Sequence, residues 1–358
     1  MKIITVVGAR PQFIKAAVVS KVLRKRHTEI LIHTGQHYDY NMSQKFFDEL
    51  DIPKPDYNLD VNGGSHASMT ARMMVLLEEV FNKEQPDWIL LYGDTNSTLA
   101  AALVAAKLYI PICHVEAGAR TYSRTNPEEI NRICTDHLSQ LLLTSTESGL
   151  IGLKKEGLLD RGYFVGDPMY DAFLLYRKKN EKNLEFNTIE GEKITIPKEY
   201  YYLTCHREEN TSVNDNMYEI LKAMNSLKKP IIYPVHPRNK QTVIKLKKNN
   251  KFNNILLLEP VGYLESIFLV DNAIKIVTDS GGLQREAFFA EKKCVTVLDF
   301  VCWPETMIYN RNTLAKPNAK SIMEALEMKQ TVDREYKPFG DGKSAEKIIN
   351  LLERHGKK

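Results

Sequence analysis

The sequence predicts an α/β protein of two Rossmann-like units with a cleft between them. Short β-branched runs alternate with helix-like segments in the first half of the chain, a charged and irregular segment at 176–197 interrupts the alternation, and the alternation then resumes. Repeated β-α units of this kind form parallel sheets with helices on both faces. The length of 358 residues also fits two domains of roughly 100–200 residues each.

The first unit begins with a β-branched strand over 2–7, followed by a helix over 11–24 that has proline in its first turn, where helices tolerate it. The segment 67–81 has apolar residues at helical spacing and is predicted as a helix. The other elements of this unit are predicted as strands at 30–33, 88–92, 110–115, 141–144 and 163–165, and as helices at 98–108 and 127–138.

The second unit resumes the pattern after the charged segment. A final helix over 344–354 could pack against either unit. Two lysine-rich stretches, 177–182 and 240–251, are interpreted as solvated linker or helix face, and no nucleic-acid partner is expected because no aromatic residues are interleaved with the lysines. The segments of the second unit are 201–204, 217–227, 231–235, 255–258, 263–271, 274–278, 283–290 and 295–298.

Composition and cysteine usage exclude several classes of protein. The chain is 43% hydrophobic and 26% charged, values typical of globular proteins. Its longest apolar stretches, such as 99–106, are far shorter than the ~18–20 residues of a membrane helix. The apolar run before Gly8 is too short for a signal-peptide core, so we expect a cytoplasmic protein without a membrane partner. The five cysteines are scattered without a C-x-x-C pair, so neither a disulfide framework nor a zinc site is predicted.

Candidate binding residues follow the predicted strands, because ligands of open parallel sheets bind beyond the carboxyl ends of the strands. The first strand ends in Gly8-Ala9-Arg10-Pro11 and lacks the G-x-G-x-x-G fingerprint, so no nicotinamide or flavin cofactor is expected. Arg10 and Lys15 bring positive charge to a helix N-terminus, which suits a phosphate. The alternative for Lys15 is a surface position on the helix.

Three carboxylates of the first unit, Asp94, Glu116 and Glu128, end or follow strands and are expected to converge on one crevice. Such a set can supply general acids and bases. Asp94 could instead cap the next helix, and Glu116 could pair with Arg120. Glu128 could simply occupy a first helical turn, where the helix dipole favours it.

The second unit offers histidines and a glycine-containing turn at its strand ends. His206 and His236 could act as donors or acids toward a phosphate, or be ordinary core or capping histidines. The turn Asp279-Ser280-Gly281-Gly282 puts backbone N–H groups at a helix start, where an anion binds well, although a plain strand-to-helix turn fits the same residues. Glu286, one turn further, could accept hydrogen bonds from a ribose diol or be an exposed helix charge.

The motifs at these strand ends resemble, in order and spacing, those of the non-hydrolysing UDP-N-acetylglucosamine 2-epimerase family. The resemblance covers nearly the whole chain. The matching strings are G-A-R-P-Q-F-I-K (8–15), G-D-T-N-S-T (93–98), H-V-E-A-G (114–118), P-E-E-I-N-R (127–132), H-R-E-E-N (206–210), H-P-R (236–238), T-D-S-G-G-L-Q-R-E-A (278–287) and F-G-D-G-K-S-A (339–345).

The resemblance implies a GT-B-type fold whose C-terminal helix crosses back to the first domain, and a homodimer. The implied domains are 1–170 with 343–358, which carries the acid/base carboxylates, and 171–342, which binds UDP. The implied reaction inverts C2 of a UDP-2-acetamido sugar without a cofactor or metal. In the family's route, a base removes the C2 proton while UDP leaves C1, and UDP adds back after reprotonation on the other face.

The resemblance also implies roles for individual residues. Asp94, Glu116 and Glu128 would be the acid/base carboxylates. Gln36 and His37 lie where some bacterial members bind a second UDP-sugar as an activator. The pyrophosphate would bind His206, which stabilises the leaving group, together with Arg10, Ser280 and Gly281. The ribose would bind Glu286. Further contacts to the UDP-sugar would come from Lys15, Arg207, His236 and Gly282.

The segment after Val297 departs from the family pattern. The family usually reads R-D-x-T-E-R-P-E there, whereas this chain reads L-D-F-V-C-W-P-E over 298–305. Trp303 at the position of the second arginine resembles a subgroup that acts on UDP-2,3-diacetamido-2,3-dideoxy-glucuronic acid, so both the neutral and the uronate sugar stay open. Two functions of other classes stay open as well: a GT-B glycosyltransferase, which has no need of several C2 bases, and a UDP-sugar binder without turnover.

Overall fold

The computed structural model describes residues 1–36, 49–123, 125–179, 184–212, 214–301 and 303–356. These residues fold as two units, one formed by Met1–Leu174 with Lys337–Lys358 and the other by Leu175–Tyr336. Each unit contains a parallel sheet flanked by helices, so the predicted α/β class is confirmed. In the described ranges, no helix is both long and apolar enough to cross a bilayer.

The first unit is built on a seven-stranded parallel sheet. In chain order its strands are β1 Lys2–Val7, β2 Thr28–His33, β3 Tyr57–Asn58, β4 Trp88–Tyr92, β5 Ile112–Val115, β6 Leu141–Thr144 and β7 Gly162–Phe164. They lie side by side in the order β3-β2-β1-β4-β5-β6-β7. The helices of this unit are α1 Arg10–Leu23, α2 His66–Glu84, α3 Asn96–Lys107, α4 Pro127–Leu138, α5 Glu147–Lys155 and α6 Pro168–Lys179, and a 3₁₀ turn lies at Leu159–Arg161. The residues of α6 after Leu174 belong to the second unit.

The register of this sheet positions the candidate site. Val6 of β1 lies opposite Leu91 of β4, and Tyr92 of β4 lies opposite Val115 of β5. The carboxyl ends of β1, β4 and β5 therefore meet at one edge, and the loops that carry the candidate residues start there. Apolar side chains such as Val6 and Leu91 are buried in the core below this edge, so the loops of the candidate site rest on a packed sheet.

The second unit contains a short antiparallel pair, β8 Phe186–Asn187 and β9 Lys193–Ile194, and a six-stranded parallel sheet. The strands of the sheet are β10 Tyr201–Thr204, β11 Ile231–Pro234, β12 Ile255–Leu258, β13 Lys275–Thr278, β14 Lys293–Thr296 and β15 Asn312–Leu314. They lie side by side in the order β12-β11-β10-β13-β14-β15. Its helices are α7 Glu208–Thr211, α8 Asn214–Asn225, α9 Lys240–Asn250, α10 Tyr263–Asn272, α11 Gly281–Phe289 and α12 Ala319–Glu327, with 3₁₀ turns at Pro237–Asn239 and Pro304–Asn310.

The final helix, α13 Ser344–His355, returns to the first unit and packs against α1. Its apolar face, which includes Ile348 and Leu352, is buried. At its start, the backbone N–H of Ala345 donates to the carboxylate of Asp171 at 2.9 Å. The apolar face and this cap together hold the helix on the first unit.

The two charged stretches differ in part from the prediction. The segment 176–197 is not wholly irregular, because it contains the end of α6 and the β8–β9 pair. Arg177 at the end of α6 pairs with Asp271 at 2.8 Å, so its charge is matched within the second unit. The stretch 240–251 is mostly helix α9, which buries Val243, so its lysines form a helix face, one of the two interpretations given above.

Candidate functional site

Four charged side chains meet at the carboxyl ends of β4 and β5. The Nζ of Lys15 lies 2.5 Å from Oε2 of Glu116. A guanidinium nitrogen of Arg132 lies 3.3 Å from the other carboxylate oxygen of Glu116, and the same nitrogen donates to Oδ2 of Asp94. We call Lys15, Asp94, Glu116 and Arg132 the carboxylate cluster.

The carboxylate cluster contains two cations and two anions and is largely buried. The side chain of Asp94 is 27% exposed, whereas those of Lys15, Glu116 and Arg132 are buried. Burial lowers the pKa of Arg132, but the charges of Asp94 and Glu116 outweigh burial and raise the pKa overall, so the guanidinium stays charged. Buried charges of this kind persist only when they are paired. Asp94 is therefore the member of the cluster most accessible to a ligand.

The backbone that carries Glu116 has an uncommon conformation. Glu116 has a φ of +70°, and nearby Gly93 and Gly118 have φ values of +63° and +76°. A Cβ at Gly118 would lie 2.2 Å from the carbonyl oxygen of Gly149, so only glycine fits there. A residue with a side chain in the left-handed region costs on the order of 1–3 kcal/mol, and such residues cluster at functional sites. The fold holds Glu116 in place at this cost, which favours a functional role.

The side chain of Gln12 joins two loops of the site. Its Oε1 accepts hydrogen bonds from the backbone N–H groups of Gly8 and Ala9, at 2.7 and 3.0 Å. Its Nε2 donates to the carbonyl of Tyr92 at 2.7 Å and to Oγ1 of Thr98 at 2.9 Å. Since this buried amide is bonded at both ends, the loops after β1 and β4 keep a fixed separation.

The predicted convergence of carboxylates is found for Asp94 and Glu116. Glu128 is exposed in the first turn of α4, and its carboxylate has no hydrogen bond or ion pair with the described part of the chain. Its neighbour Glu129 is buried and accepts from two backbone N–H groups of the preceding loop, at 2.9 and 2.8 Å, which is a structural role. An acid/base role for Glu128 stays a prediction.

Several alternative interpretations of single residues are wrong. Lys15 is buried rather than on the helix surface. The N-cap of α3 is Thr95, whereas the carboxylate of Asp94 contacts Arg132. Arg120 pairs with Asp136 at 2.7 Å and with Glu156, directly after α5, at 2.7 Å. The pairing of Glu116 with Arg120 is therefore wrong, because Glu116 pairs with Lys15 and Arg132.

Two further predicted residues lie on neighbouring loops of the first unit. Arg10 is exposed in the first turn of α1. Gln36 accepts from the backbone N–H and the Oγ of Ser97, at 3.0 and 2.7 Å, and so joins the loop after β2 to the start of α3. His37 lies outside the described residues. Ligand contacts of Arg10 and Gln36 stay predictions.

In the second unit, Asp279 organises the loop after β10. Its buried carboxylate accepts from the backbone N–H groups of His206 and Arg207, both at 2.9 Å, and from Nδ2 of Asn210 at 3.3 Å. Burial raises the pKa of Asp279, but the hydrogen bond and charge of His206 outweigh burial and lower the pKa overall. The Nδ1 of His206 faces this carboxylate at 3.1 Å while 44% of the side chain stays exposed, and the ring stacks with that of His236.

Helix α11 begins directly after this aspartate. Ser280 is the N-cap, and its Oγ accepts from the backbone N–H of Leu283 at 3.3 Å. Gly281 and Gly282 form the first turn, where the positive end of the helix dipole suits an anion. Glu286, further along the helix, is buried, so the interpretation as an exposed helix charge is wrong.

The segment that departs from the family pattern places aromatic rings against arginines. The guanidinium carbon of Arg207 lies 5.2 Å from the ring centroid of Phe300, and that of Arg285 lies 4.2 Å from the ring of Trp303. Such contacts contribute about 0.5–2 kcal/mol and fix the plane of the guanidinium. Among the described residues, no carboxylate pairs with the guanidinium of Arg207, so its charge is available to a ligand.

Sequence reasoning missed three residues that build the site. Arg132 lies four residues before Asp136 on α4, and this spacing was a signal for a charged helix face turned toward the sheet. Asp279 stands directly after β13, which was a signal for a loop-organising carboxylate. Gln12 carried no local signal, because its partners lie on β4 and α3.

Comparisons with known proteins show which family and which solved structures the chain resembles. A family model described as UDP-N-acetylglucosamine 2-epimerase matches residues 21–353. A UDP-N-acetylglucosamine 2-epimerase homolog of Methanococcus maripaludis is 47% identical over 98% of this chain and 99% of its own length. The UDP-2,3-diacetamido-2,3-dideoxy-D-glucuronate 2-epimerase of Pseudomonas aeruginosa is 40% identical over 98% of this chain and 99% of its own length. The crystal structure of Methanocaldococcus jannaschii UDP-GlcNAc 2-epimerase in complex with UDP-GlcNAc and UDP has a TM-score of 0.86 at 36% identity, covering 99% of this chain and all of that one.

Proposed function

The chain belongs to the UDP-N-acetylglucosamine 2-epimerase family, and from this premise we propose that it is a non-hydrolysing 2-epimerase of the UDP-GlcNAc to UDP-ManNAc type. Its fold is GT-B-like, as in the family's solved structures. The observation that carries the proposal is the carboxylate cluster, which places two carboxylates at adjacent strand ends without a dinucleotide fingerprint nearby.

The chemical problem is the C2 proton of the sugar, which is not next to a carbonyl and is only weakly acidic. In the proposed route, a base takes this proton while the C1–O bond to UDP breaks, which gives a 2-acetamidoglucal and free UDP. A proton then returns to C2 from the other face, and UDP adds back at C1. No net oxidation occurs. The route needs two acid/base groups and stabilisation of the departing pyrophosphate.

We assign the acid/base work to Asp94 and Glu116, with Glu128 as a third carboxylate that could approach bound sugar. Lys15 and Arg132 each pair with Glu116, and Arg132 also pairs with Asp94. Asp94 is the more exposed of the two paired carboxylates and is well placed to reach a ligand.

We further propose that the second unit holds UDP. The start of α11 offers the positive end of a helix dipole, and His206, held through Nδ1 by Asp279, can donate from its other nitrogen to the leaving phosphate. We assign hydrogen bonding to the ribose to Glu286, a buried carboxylate of the same helix. The remaining proposed UDP-sugar contacts are Ser280, Gly281, Gly282, Arg207 and His236 of this unit and Arg10 of the first, while Gln36 and His37 stay candidates for an activator site.

The acid/base assignment predicts a kinetic result. Asp94→Asn and Glu116→Gln are each expected to lower turnover and C2 proton exchange at least ~10²-fold, as for loss of a general acid or base. Glu78→Gln, an exposed carboxylate on α2, is the matched control. Rates near those of the wild type in both site variants, measured with UDP-GlcNAc in D₂O by proton NMR, would contradict the assignment.

A second substrate is favoured by two observations. The Pseudomonas aeruginosa relative acts, by its name, on a uronate sugar, and Arg207 presents a guanidinium without a carboxylate partner among the described residues, backed by the ring of Phe300. A 2,3-diacetamido uronate carries an additional negative charge that this guanidinium could bind. Parallel exchange assays with UDP-GlcNAc and with the uronate analogue choose between the two substrates.

We also propose that the protein is a homodimer, as the resemblance implies. The first unit has an apolar groove of about 390 Å³ between α2, α3 and α4, lined among others by Met74, Leu99 and Ile130. Ile130 is 48% exposed and Val75 is 61% exposed, which suits an association surface. Sedimentation of the wild type and of Ile130→Glu tests this: a dimer that the substitution dissociates supports it, and a wild-type monomer contradicts it. A cytoplasmic location stays a prediction.

A further inference from the structure

A second buried polar group lies behind the carboxylate cluster. His114 and Asp136 have fully buried side chains, with Nδ1 of the histidine 2.6 Å from Oδ1 of the aspartate. The other aspartate oxygen accepts from Arg120 at 2.7 Å, and Arg120 also donates to Glu156 at 2.7 Å. We call His114, Arg120, Asp136 and Glu156 the histidine network. None of its members belongs to the carboxylate cluster.

Both ring nitrogens of His114 face acceptors. The Nε2 lies 2.7 Å from the carbonyl oxygen of Gly93, which can only accept a hydrogen bond. Burial raises the pKa of Asp136, but the hydrogen bonds and charges of His114 and Arg120 outweigh burial and lower the pKa overall, so the aspartate is an anion that also only accepts. The ring of His114 is therefore held between two acceptors, the Gly93 carbonyl on the loop after β4 and the Asp136 carboxylate on α4.

The histidine network holds the loops of both acid/base candidates. The carbonyl of Gly93 belongs to the peptide that leads into Asp94, so the hydrogen bond from Nε2 fixes the plane from which that side chain projects. On the neighbouring loop, Oδ2 of Asp136 accepts from the backbone N–H of Gly118 at 3.0 Å, two residues beyond Glu116 and its positive φ. One ring and one carboxylate thus restrain both loops.

We propose that His114 is a positioning residue for the epimerase reaction: through Gly93 on one side and Asp136 on the other, it sets the orientation of Asp94 and Glu116 without touching the substrate. This inference rests on the proposed function. A buried charged network of this kind is a poor source of stability compared with apolar packing of equal volume. In contrast, a reaction slows by up to about 10²-fold when a catalytic group is misplaced by about 1 Å. Accurate positioning of Asp94 and Glu116 therefore accounts for the network better than stability does.

Two conservative substitutions separate the two halves of the ring. In His114→Gln the side-chain amide can still donate to the Gly93 carbonyl from near the Nε2 position, whereas in His114→Asn it can reach only the Asp136 side. We expect His114→Asn to lower kcat and the rate of C2 deuterium exchange by about 10- to 100-fold. We expect His114→Gln to stay within about threefold of the wild type, because it keeps the Gly93 contact and Asp136 is still held by Arg120 and the N–H of Gly118. The affinity for UDP, titrated calorimetrically, is expected to be unchanged in both, because UDP is proposed to bind the second unit.

A matched control is another buried histidine of the same sheet. His33 at the end of β2 stacks on Phe13 and contacts Asn58 at 3.1 Å, and neither of these partners belongs to the loops of Asp94 or Glu116. His33→Asn is expected to lower the melting temperature without a comparable loss of kcat. Wild-type kcat and exchange in folded His114→Asn would overturn the inference, as would a loss of kcat in His33→Asn equal to that in His114→Asn. Absence of exchange in the wild type with either sugar would instead overturn the proposed function, and the inference with it.

Discussion

Replacing Lys15 with methionine is the most informative perturbation of the carboxylate cluster. Methionine is close in length to lysine but leaves Glu116 without the ammonium that lies 2.5 Å from its carboxylate. Removing one partner of a buried ion pair costs about 3–5 kcal/mol. Since Glu116 keeps Arg132 at 3.3 Å, we expect the lower end of that range, about 3 kcal/mol.

The expected cost can be measured by thermal unfolding of the full chain. For a domain of 150–250 residues, roughly 2–4 °C are lost per kcal/mol, so Lys15→Met should lower the melting temperature of the first unit by about 6–12 °C. Lys21→Met, an exposed lysine on the same helix, is the control and should change stability by less than about 0.5 kcal/mol. The double variant Lys15→Met with Glu116→Gln should recover part of the loss, because no carboxylate is then left without its ammonium.

Two outcomes would refute this reasoning. If Lys15→Met melted at the temperature of Lys21→Met, the ion pair would not be buried as the structure has it. If the double variant were as unstable as the sum of the two single variants, Lys15 and Glu116 would not be coupled.

Three further predictions concern Glu128 and Glu129, Lys293, and Phe300. Glu129→Gln should destabilise the first unit by about 1–3 kcal/mol, because a buried acceptor of two N–H groups is altered. Glu128→Gln should leave urea unfolding unchanged and lower the rate of C2 exchange. The reverse pattern would contradict both roles. Burial lowers the pKa of the Lys293 ammonium to about 8 from an ordinary 10.5, so the unfolded chain binds more protons between about pH 8 and 10.5 and stability should rise with pH there. Urea unfolding of the wild type and of Lys293→Met over this pH range checks the prediction. The difference between their free energies of unfolding should vary with pH only if the Lys293 pKa is lowered in the folded protein. Phe300→Leu should weaken UDP-sugar binding up to about tenfold by removing the ring that packs on Arg207. Phe268→Leu, on α10, is the control. An unchanged Kd for Phe300→Leu would show that the ring does not contribute to binding.

Much of the fold follows from local sequence signals. The strands at 2–7 and 88–92 and the helix at 127–138 are found where they are predicted. A β-branched run marks the first strand, a short apolar and aromatic run marks the second, and a proline after a capping asparagine marks the helix. Helix α9 carried a weaker signal: only Val243 is buried in it, so its apolar periodicity is slight and its lysines dominate the pattern.

The candidate site could be predicted only in part. Asp94 and Glu116 stand at strand ends of one sheet, and topology alone brings such residues together. The partner of Lys15 could not be found in this way, because Glu116 is 101 residues away in the chain and a lysine one turn into a helix is compatible with a surface position. The histidine network was missed because its contacts are also distant in sequence. His114 lies within a predicted strand, and nothing in the local sequence indicates its contacts with Gly93 and Asp136.

Proton NMR of the wild-type protein with UDP-GlcNAc and, separately, its 2,3-diacetamido uronate analogue in D₂O tests 2-epimerisation most directly. Deuterium at C2 together with a manno product from one of the two sugars, without irreversible release of UDP, is the predicted result. An intact C2 proton with both sugars, in a folded protein that still binds UDP, would contradict the epimerase proposal and favour a nucleotide-sugar binder or a transferase.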